Sequence, residues 1–163
     1  PDPNDPWATS MFLADTDERK ADIWDARGAF LEAINATTPS MDECDVVVPR
    51  DRIAAFVRLA GEIARDRGVR MRSFGHAGDG NLHIYVCRDE LKESEWEQKR
   101  AGAMDALYDS ALSLGGQISG EHGIGHAKAE YLKGAISPAQ SEIMRGIKRA
   151  FDPKGILNPG KVV

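Results

Sequence analysis

The sequence predicts an α+β fold built on an antiparallel sheet, and three observations lead to this prediction. Short runs rich in β-branched residues recur, longer runs with apolar residues at helical spacing separate them, and turn-forming residues mark the boundaries. From residue 44 to residue 119 the order of these runs is β-α-β-β-α-β. That order is the ferredoxin-like split βαβ arrangement, with helices on one face of the sheet and a hairpin in its middle.

The N-terminal part is predicted to be a turn-rich segment over residues 1–15, followed by an amphipathic helix over 16–35. The next element is a strand over residues 44–48, which is rich in β-branched valine and ends before Pro49. We treat residues 16–163 as one domain.

The remaining elements are predicted from apolar spacing and from their end signals. They are a helix over 53–64 that stops at Gly68, strands over 69–76 and 81–87, a helix over 93–114, a short strand over 117–119, and a last helix that begins at Pro138 with Ser137 as its cap.

Composition narrows the class of protein. The 163 residues carry a net charge of −5, which argues against nucleic acid or an anionic membrane as the main partner. No apolar run is long enough to be a transmembrane segment, and none resembles a signal peptide. Cys44 and Cys87 lie in strand-like runs and are interpreted as reduced, buried thiols. We therefore expect a cytoplasmic protein, with an oligomer possible.

The strongest motif surrounds the predicted hairpin, between His76 and His83. A two-residue turn at Asp79-Gly80 would place residue 78 opposite residue 81 and His76 opposite His83. Cross-strand Cβ atoms are about 5 Å apart, and metal–nitrogen bonds are about 2.0–2.1 Å long, so two such imidazoles can converge on one ion. The alternative is two histidines that only flank a turn. Asp79 is interpreted as structural, and Asn81 as either a turn residue or a site amide.

The second motif is Glu121-His122 within a glycine-rich loop. Consecutive side chains of an extended backbone point to opposite sides, so Glu121 could reach the ion while His122 reaches a substrate. A neutral His122 suits proton abstraction. The alternative is a flexible, solvated loop. No strand–GxGxxG–helix unit accompanies it, which argues against nicotinamide binding, and His126 is given no role.

Three segments, GHAGDGNLH (75–83), SGEHGIG (119–125) and FDPKGILNPGK (151–161), together resemble the C-terminal portion of the FAD-linked oxidases of the vanillyl-alcohol oxidase type. The closer branch contains glycolate oxidase, D-lactate dehydrogenase and D-2-hydroxyglutarate dehydrogenase. The resemblance implies a cap domain over a flavin that a separate FAD domain binds. That domain needs about 200 further residues, so this chain is expected to be the cap and tail only, inactive alone.

The resemblance also implies roles for individual residues. The metal ligands fall on His76, His83 and Glu121, and the substrate-binding histidine and base falls on His122. An arginine that clasps the substrate carboxylate falls on Arg27, for which a solvated helix arginine is the alternative. Asn158 would lie near the flavin ring. Zinc suits two histidines and a glutamate with an open position, and manganese or iron could use the same ligands.

The chain departs from the hydroxyglutarate enzymes at three positions. Asp42-Glu43 stands where those enzymes have a lysine, Leu31 where they have a threonine, and Tyr85 where they have an asparagine. Each change removes a contact expected for a second carboxylate. The expected substrate is therefore a monocarboxylate such as D-lactate or glycolate, or a larger apolar 2-hydroxy acid.

The resulting prediction is a flavin-dependent 2-hydroxy-acid dehydrogenase or oxidase, in which hydride passes from the substrate α-carbon to FAD. Two alternatives stay open: a metal-dependent hydrolase that uses the same three ligands, and a non-catalytic cap or interaction domain.

Overall fold

The computed structural model describes residues 13–163 and divides into two units, residues 1–37 and 38–163. The described part of the first unit contains helices α1 (Asp17–Gly28) and α2 (Phe30–Asn35). The single helix predicted over 16–35 is therefore wrong in one respect, because Ala29 interrupts it. Thr16 caps α1, its hydroxyl accepting from the Arg19 amide. The segment predicted over 1–15 lies mostly outside the described residues.

The second unit is an antiparallel sheet with helices against one face, which confirms the predicted α+β class. Its strands have the order β1-β3-β2. The elements are, in chain order, β1 (Met41–Val47), a 3-10 turn (Arg50–Arg52), α3 (Ile53–Arg67), β2 (Arg70–His76), β3 (Asn81–Cys87), α4 (Glu93–Ser113), α5 (Ala129–Ala135) and α6 (Pro138–Phe151).

One face of the sheet forms the core. Side chains alternate along a strand, so every second residue of β1 and β3 points toward α3 and α4. The fully buried members include Cys44, Val46, Ile84 and Val86, which pack with Phe56 and Leu107 of the two helices. Cys44 and Cys87 are both free and buried, as predicted. The opposite face carries most of the polar side chains of the strands, among them Glu43, Asp45, His76 and His83.

The hairpin register predicted for His76 and His83 is wrong by two residues. The structure pairs His76 with Asn81 and Phe74 with His83. A four-residue turn over 77–80 replaces the two-residue turn, because the Gly80 amide donates to the His76 carbonyl at 3.0 Å. Gly80 has φ +85°, which favours glycine. Since the shift is even, both histidines stay on the same face as diagonal neighbours.

Three further differences concern element ends. The predicted strand 117–119 is present only as a single bridge between Val47 and Gln117. Helix α5 lies in a stretch for which the sequence predicted no element, and β1 begins at Met41 rather than at residue 44. The end signals at Gly68 and Ser137 are confirmed: Gly68 adopts φ 61° after α3, and Ser137 forms a capping box with Gln140.

No helix within residues 13–163 combines the length and the apolar character needed to cross a membrane.

Candidate metal and substrate site

Five side chains meet beside the polar face of the sheet. We call them the histidine–glutamate cluster; its members are Glu43 of β1, His76 of β2, His83 of β3, and Glu121 and His122 of the loop that precedes α5. Strand pairing brings the first three together, because β3 lies between β1 and β2. The structure therefore unites four predicted site residues and adds a fifth, Glu43.

His83 is the centre of the cluster, and its side chain is only 5 % exposed. Its Nδ1 lies 2.8 Å from Glu43 Oε1 and its Nε2 lies 3.0 Å from Glu121 Oε1. An imidazole whose Nδ1–H donates to a carboxylate presents the lone pair of Nε2 on the other side of the ring. This arrangement is the carboxylate–histidine pair that commonly orients a metal-bound histidine.

His76 approaches the same glutamate from the neighbouring strand. Its Nε2 lies 3.8 Å from Glu121 Oε1, and its ring centroid lies 6.1 Å from that of His83. The ligand atoms of His76, His83 and Glu121 all lie within 4.8 Å of one another. Two imidazole nitrogens and one carboxylate oxygen are a donor set that suits a divalent ion and leaves coordination positions open. The residues present therefore fit a metal.

His122 lies beside His83, with ring centroids 5.0 Å apart, and its Nε2 lies 3.8 Å from Glu121 Oε1. Its Nδ1 is 3.5 Å from Glu43 Oε1, and its side chain is 46 % exposed. Glu43, His83 and His122 also qualify as a group of potential ligands. Because the 2.8 Å contact to Glu43 occupies His83 Nδ1, we interpret Glu43 as the carboxylate that orients His83, and the partly exposed His122 side chain faces solvent.

Tyr85 borders the cluster on β3. It is 4 % exposed, its hydroxyl donates to Glu43 Oε1 at 3.0 Å, and its ring stacks on Phe74 at 5.3 Å between centroids. Burial, followed by the hydrogen bond and charge of Glu43, raises the pKa of the Tyr85 phenol, so Tyr85 is a neutral donor at pH 7.

Two further predicted residues have local contacts of their own. Arg27 lies in the last turn of α1, in the first unit, with its guanidinium 5.5 Å from the centre of the Trp24 ring. Asn158 lies in a C-terminal turn with φ 47°, where its carbonyl accepts from the Lys161 amide. The structural role expected for Asp79 is confirmed, since its Oδ1 accepts from the Asn81 amide at 3.0 Å.

Sequence reasoning missed Glu43 and Asp45, and strand periodicity could have found them. Residues 44, 46 and 48 are apolar and buried, so residues 43 and 45 of an extended β1 must share the opposite face. The register places Asp45 opposite His83 and Glu43 opposite Tyr85. Extending the predicted strand toward its N-terminus by a single residue would have placed both acids beside the predicted ligand.

Asp45 is a buried carboxylate, 0 % exposed. Burial by itself would raise its pKa, but hydrogen bonds from the His122 amide and the Asn81 side chain, together with the charge of Lys128, hold the pKa well below its usual range. Asp45 is therefore ionised at neutral pH.

Comparison with known proteins identifies the family. The family model "FAD linked oxidases, C-terminal domain" matches residues 4–162. Among curated proteins the chain is 50 % identical to a D-lactate dehydrogenase of Anaerostipes hadrus, over 95 % of this chain and 33 % of that protein. It is 37 % identical to the glycolate oxidase subunit GlcD of Bacillus subtilis (strain 168), over 95 % of this chain and 33 % of that protein.

A third relative is a D-2-hydroxyglutarate dehydrogenase of Stutzerimonas stutzeri (strain A1501), 32 % identical over 96 % of this chain and 34 % of that protein. The chain thus spans about a third of the length of the curated relatives it matches. The family model covers nearly the whole chain, including every residue of the histidine–glutamate cluster. The chain therefore belongs to the C-terminal domain family of the FAD-linked oxidases.

Proposed function

We propose that this chain is the metal- and substrate-binding part of a flavin-dependent dehydrogenase or oxidase that acts on a small 2-hydroxy acid. The observation that carries the proposal is the environment of His83, a buried imidazole with a glutamate oxygen within 3.0 Å of each ring nitrogen. The names of two relatives, a D-lactate dehydrogenase and a part of a glycolate oxidase, support the substrate class.

In this proposal His76, His83 and Glu121 hold the metal, and Glu43 fixes the ring orientation of His83. When bound, the metal supplies polarisation of the substrate hydroxyl and carboxylate, and FAD, held mainly by a further domain, supplies the two-electron acceptor. Zinc is the metal we propose first, with manganese and iron as the other candidates.

His122 is the proposed base. As a neutral imidazole it takes the proton from the substrate hydroxyl, and the nearby Glu43 carboxylate stabilises the imidazolium that results. Arg27 is proposed to clasp the substrate carboxylate with two parallel hydrogen bonds, and Asn158 to approach the flavin.

The cluster favours a monocarboxylic substrate. Glu43 adds a negative charge beside His83 and His122. A distal substrate carboxylate beside Glu43 would meet like charge, and Tyr85, whose hydroxyl donates to Glu43, provides no positive charge to offset it. D-lactate and glycolate are therefore preferred to D-2-hydroxyglutarate.

The test uses the natural full-length protein with its flavin. D-lactate, glycolate and D-2-hydroxyglutarate are compared by flavin reduction, with and without a chelator, for the wild type, His83→Ala and the control His126→Ala. His126 lies outside the cluster, where its Nδ1 contacts the Gly160 carbonyl. We expect metal-dependent oxidation of a monocarboxylate that His83→Ala abolishes and His126→Ala retains.

Oxidation that is unchanged by the chelator and by His83→Ala would contradict the metal role. Hydrolysis of an ester or amide by flavin-free protein would favour the hydrolase instead. Turnover of D-lactate by the isolated 163-residue chain would contradict the need for a further flavin-binding domain.

A further inference from the structure

Asp45 is the one fully buried carboxylate in the described part of the chain that the proposed chemistry does not use. It lies on β1 directly opposite His83, yet it takes no part in the histidine–glutamate cluster. Its hydrogen bonds run instead to the loop that carries Glu121 and His122.

One carboxylate oxygen of Asp45 accepts hydrogen bonds from several donors of the loop. Oδ2 accepts from three consecutive amides, Gly120 at 3.1 Å, Glu121 at 3.2 Å and His122 at 3.0 Å. It also accepts from the Ser119 hydroxyl at 3.1 Å. Successive amides that converge on one point form an anion-binding nest, and here the anion is a side chain of the protein itself.

The other contacts of Asp45 fix the carboxylate in turn. Asn81 Nδ2 donates to Oδ1 at 2.7 Å and to the Val46 carbonyl at 3.2 Å. Lys128 Nζ lies 3.3 Å from Oδ2 and donates to the Asp45 carbonyl at 3.1 Å. A buried carboxylate is tolerated only when it is paired and hydrogen-bonded, and Asp45 meets both conditions.

The loop is also closed on itself. The Ser119 hydroxyl that donates to Asp45 accepts from the Gly123 amide at 2.8 Å. Gly120 packs so tightly here that an added Cβ would lie 1.6 Å from Asn81 Nδ2. The backbone over 119–123 is therefore fixed by β1 and β3, the same strands that carry Glu43 and His83.

We propose that Asp45 is a positioning residue, which anchors the loop backbone so that Glu121 and His122 meet His83 in one fixed geometry. The inference rests on the proposed function, because it assigns Asp45 to the same metal and substrate site. Asp45 touches neither metal nor substrate in this role, and its effect passes through the three amides.

The test replaces Asp45 by Asn in the natural full-length flavoprotein. The matched control is Asp105→Asn, at an exposed carboxylate that accepts from Tyr131. Three quantities are measured: zinc affinity by competition with a chromophoric chelator, the absorption spectrum of bound Co²⁺, and kcat and KM for D-lactate. We expect Asp45→Asn to weaken zinc binding about 10- to 100-fold, alter the cobalt spectrum and lower kcat more than it raises KM. The control should match the wild type.

Two further variants separate positioning from folding. Asp45→Asn leaves the buried Lys128 ammonium without its carboxylate partner, which would itself destabilise the fold. The double variant Asp45→Asn/Lys128→Met also removes this unpaired charge. If Asp45 positions the loop, the double variant should regain thermal stability but not zinc affinity. Ser119→Ala removes one donor to Asp45 and the acceptor of the Gly123 amide, and it should fold normally with a smaller loss of zinc affinity. Ser113→Ala on α4, whose hydroxyl donates to the Ser110 carbonyl, should cause no loss.

The outcomes distinguish this inference from the proposed function. If His83→Ala loses zinc while Asp45→Asn and Ser119→Ala keep the wild-type zinc affinity, cobalt spectrum and kcat, the role of Asp45 is wrong and the metal site stands. If zinc affinity in the double variant recovers with stability, Asp45 serves only folding. If His83→Ala itself binds zinc as the wild type does, both proposals are wrong.

Discussion

Glu43 Oε1 lies 2.8 Å from Nδ1 of His83, although the two residues are not partners in the strand register. Glu43 pairs with Tyr85 and reaches His83 along the diagonal, two residues away. Diagonal neighbours on one face of a sheet lie within reach of long side chains. The contact orients the His83 ring, so that its Nε2 faces Glu121.

The first prediction concerns this contact. Glu43→Gln keeps the shape of the side chain but removes its charge, so His83 loses the charged partner that orients its ring. We expect zinc affinity to fall about 10- to 100-fold, as measured by chelator competition. The control Glu130→Gln removes an exposed carboxylate paired with Lys133 and should have no effect. Equal zinc affinities for Glu43→Gln and Glu130→Gln would contradict a role for Glu43 in the metal site.

The second prediction concerns metal removal. A ligand that binds only the folded state stabilises it in proportion to the logarithm of its concentration, by about 2.7 kcal/mol at 100 times Kd. Zinc should therefore raise the Tm of the wild-type protein, and a chelator should reverse the increase, in differential scanning calorimetry. Neither His76→Ala nor His83→Ala should respond to zinc. A zinc-dependent Tm shift that persists in both variants would place the ion elsewhere.

The third prediction concerns the closest approach in the loop. In Gly120→Ala the new methyl group would lie 1.6 Å from Asn81 Nδ2, so either the loop or the Asn81 contact to Asp45 must move. We expect the free energy of unfolding to fall by about 1–3 kcal/mol in urea denaturation.

Gly134→Ala is the matched control for that variant, because no atom beyond the chain neighbours and the backbone of α5 lies within 4 Å of the new methyl group. It should leave stability unchanged or raise it by about 0.4–1 kcal/mol. Similar stabilities for the two alanine variants would contradict the packing described for the loop.

The fourth prediction concerns pH and the C-terminal tail. Asp152 accepts from Lys148 Nζ and from the amides of Ile156 and Leu157. The hydrogen bond from Lys148 is the largest cause that lowers the pKa of Asp152. Desolvation opposes it, the two amides add to it, and together these effects lower the pKa from 3.8 to about 2. A lowered folded-state pKa stabilises the protein above the unfolded pKa, and this contribution disappears as the pH falls toward 2.

Asp152→Asn should accordingly lower the Tm at pH 7 but have progressively less effect between pH 4 and pH 2, in thermal scans across this range. Asp51→Asn, at the exposed ion pair with Arg52, is the control and should give no such trend. A Tm difference for Asp152→Asn that stays constant with pH would assign the effect to packing rather than to charge.

The sequence allowed prediction of much of the fold because its apolar patterns are local. The burial of Phe56, Leu107 and Val46 follows from periodicity within each element. The register of the hairpin did not follow, since Asp79-Gly80 is compatible with turns of more than one length. The hydrogen bond from the Gly80 amide to the His76 carbonyl selects the four-residue turn.

The candidate site residues that lie within local motifs could be predicted from the sequence. The residue that only strand pairing brings to the site could not. His76, His83 and Glu121 stand out as ligand types at suggestive positions. Glu43 does not, because a charged residue ahead of a β-branched run indicates a strand end by propensity. Pairing of β1 with the buried β3 extends the strand to Met41 and overrides that preference.

The pairing of β2 with β3 has a consequence for how the two strands can shift against each other. A shift of β2 by two residues along β3 would return every side chain to its own face, so His76 would stay on the face that carries His83. A shift of one residue would exchange the faces and turn His76 toward the apolar side of the sheet. The pairing of β2 with β3 is therefore expected to tolerate register shifts of two residues and to reject shifts of one, whatever the length of the turn.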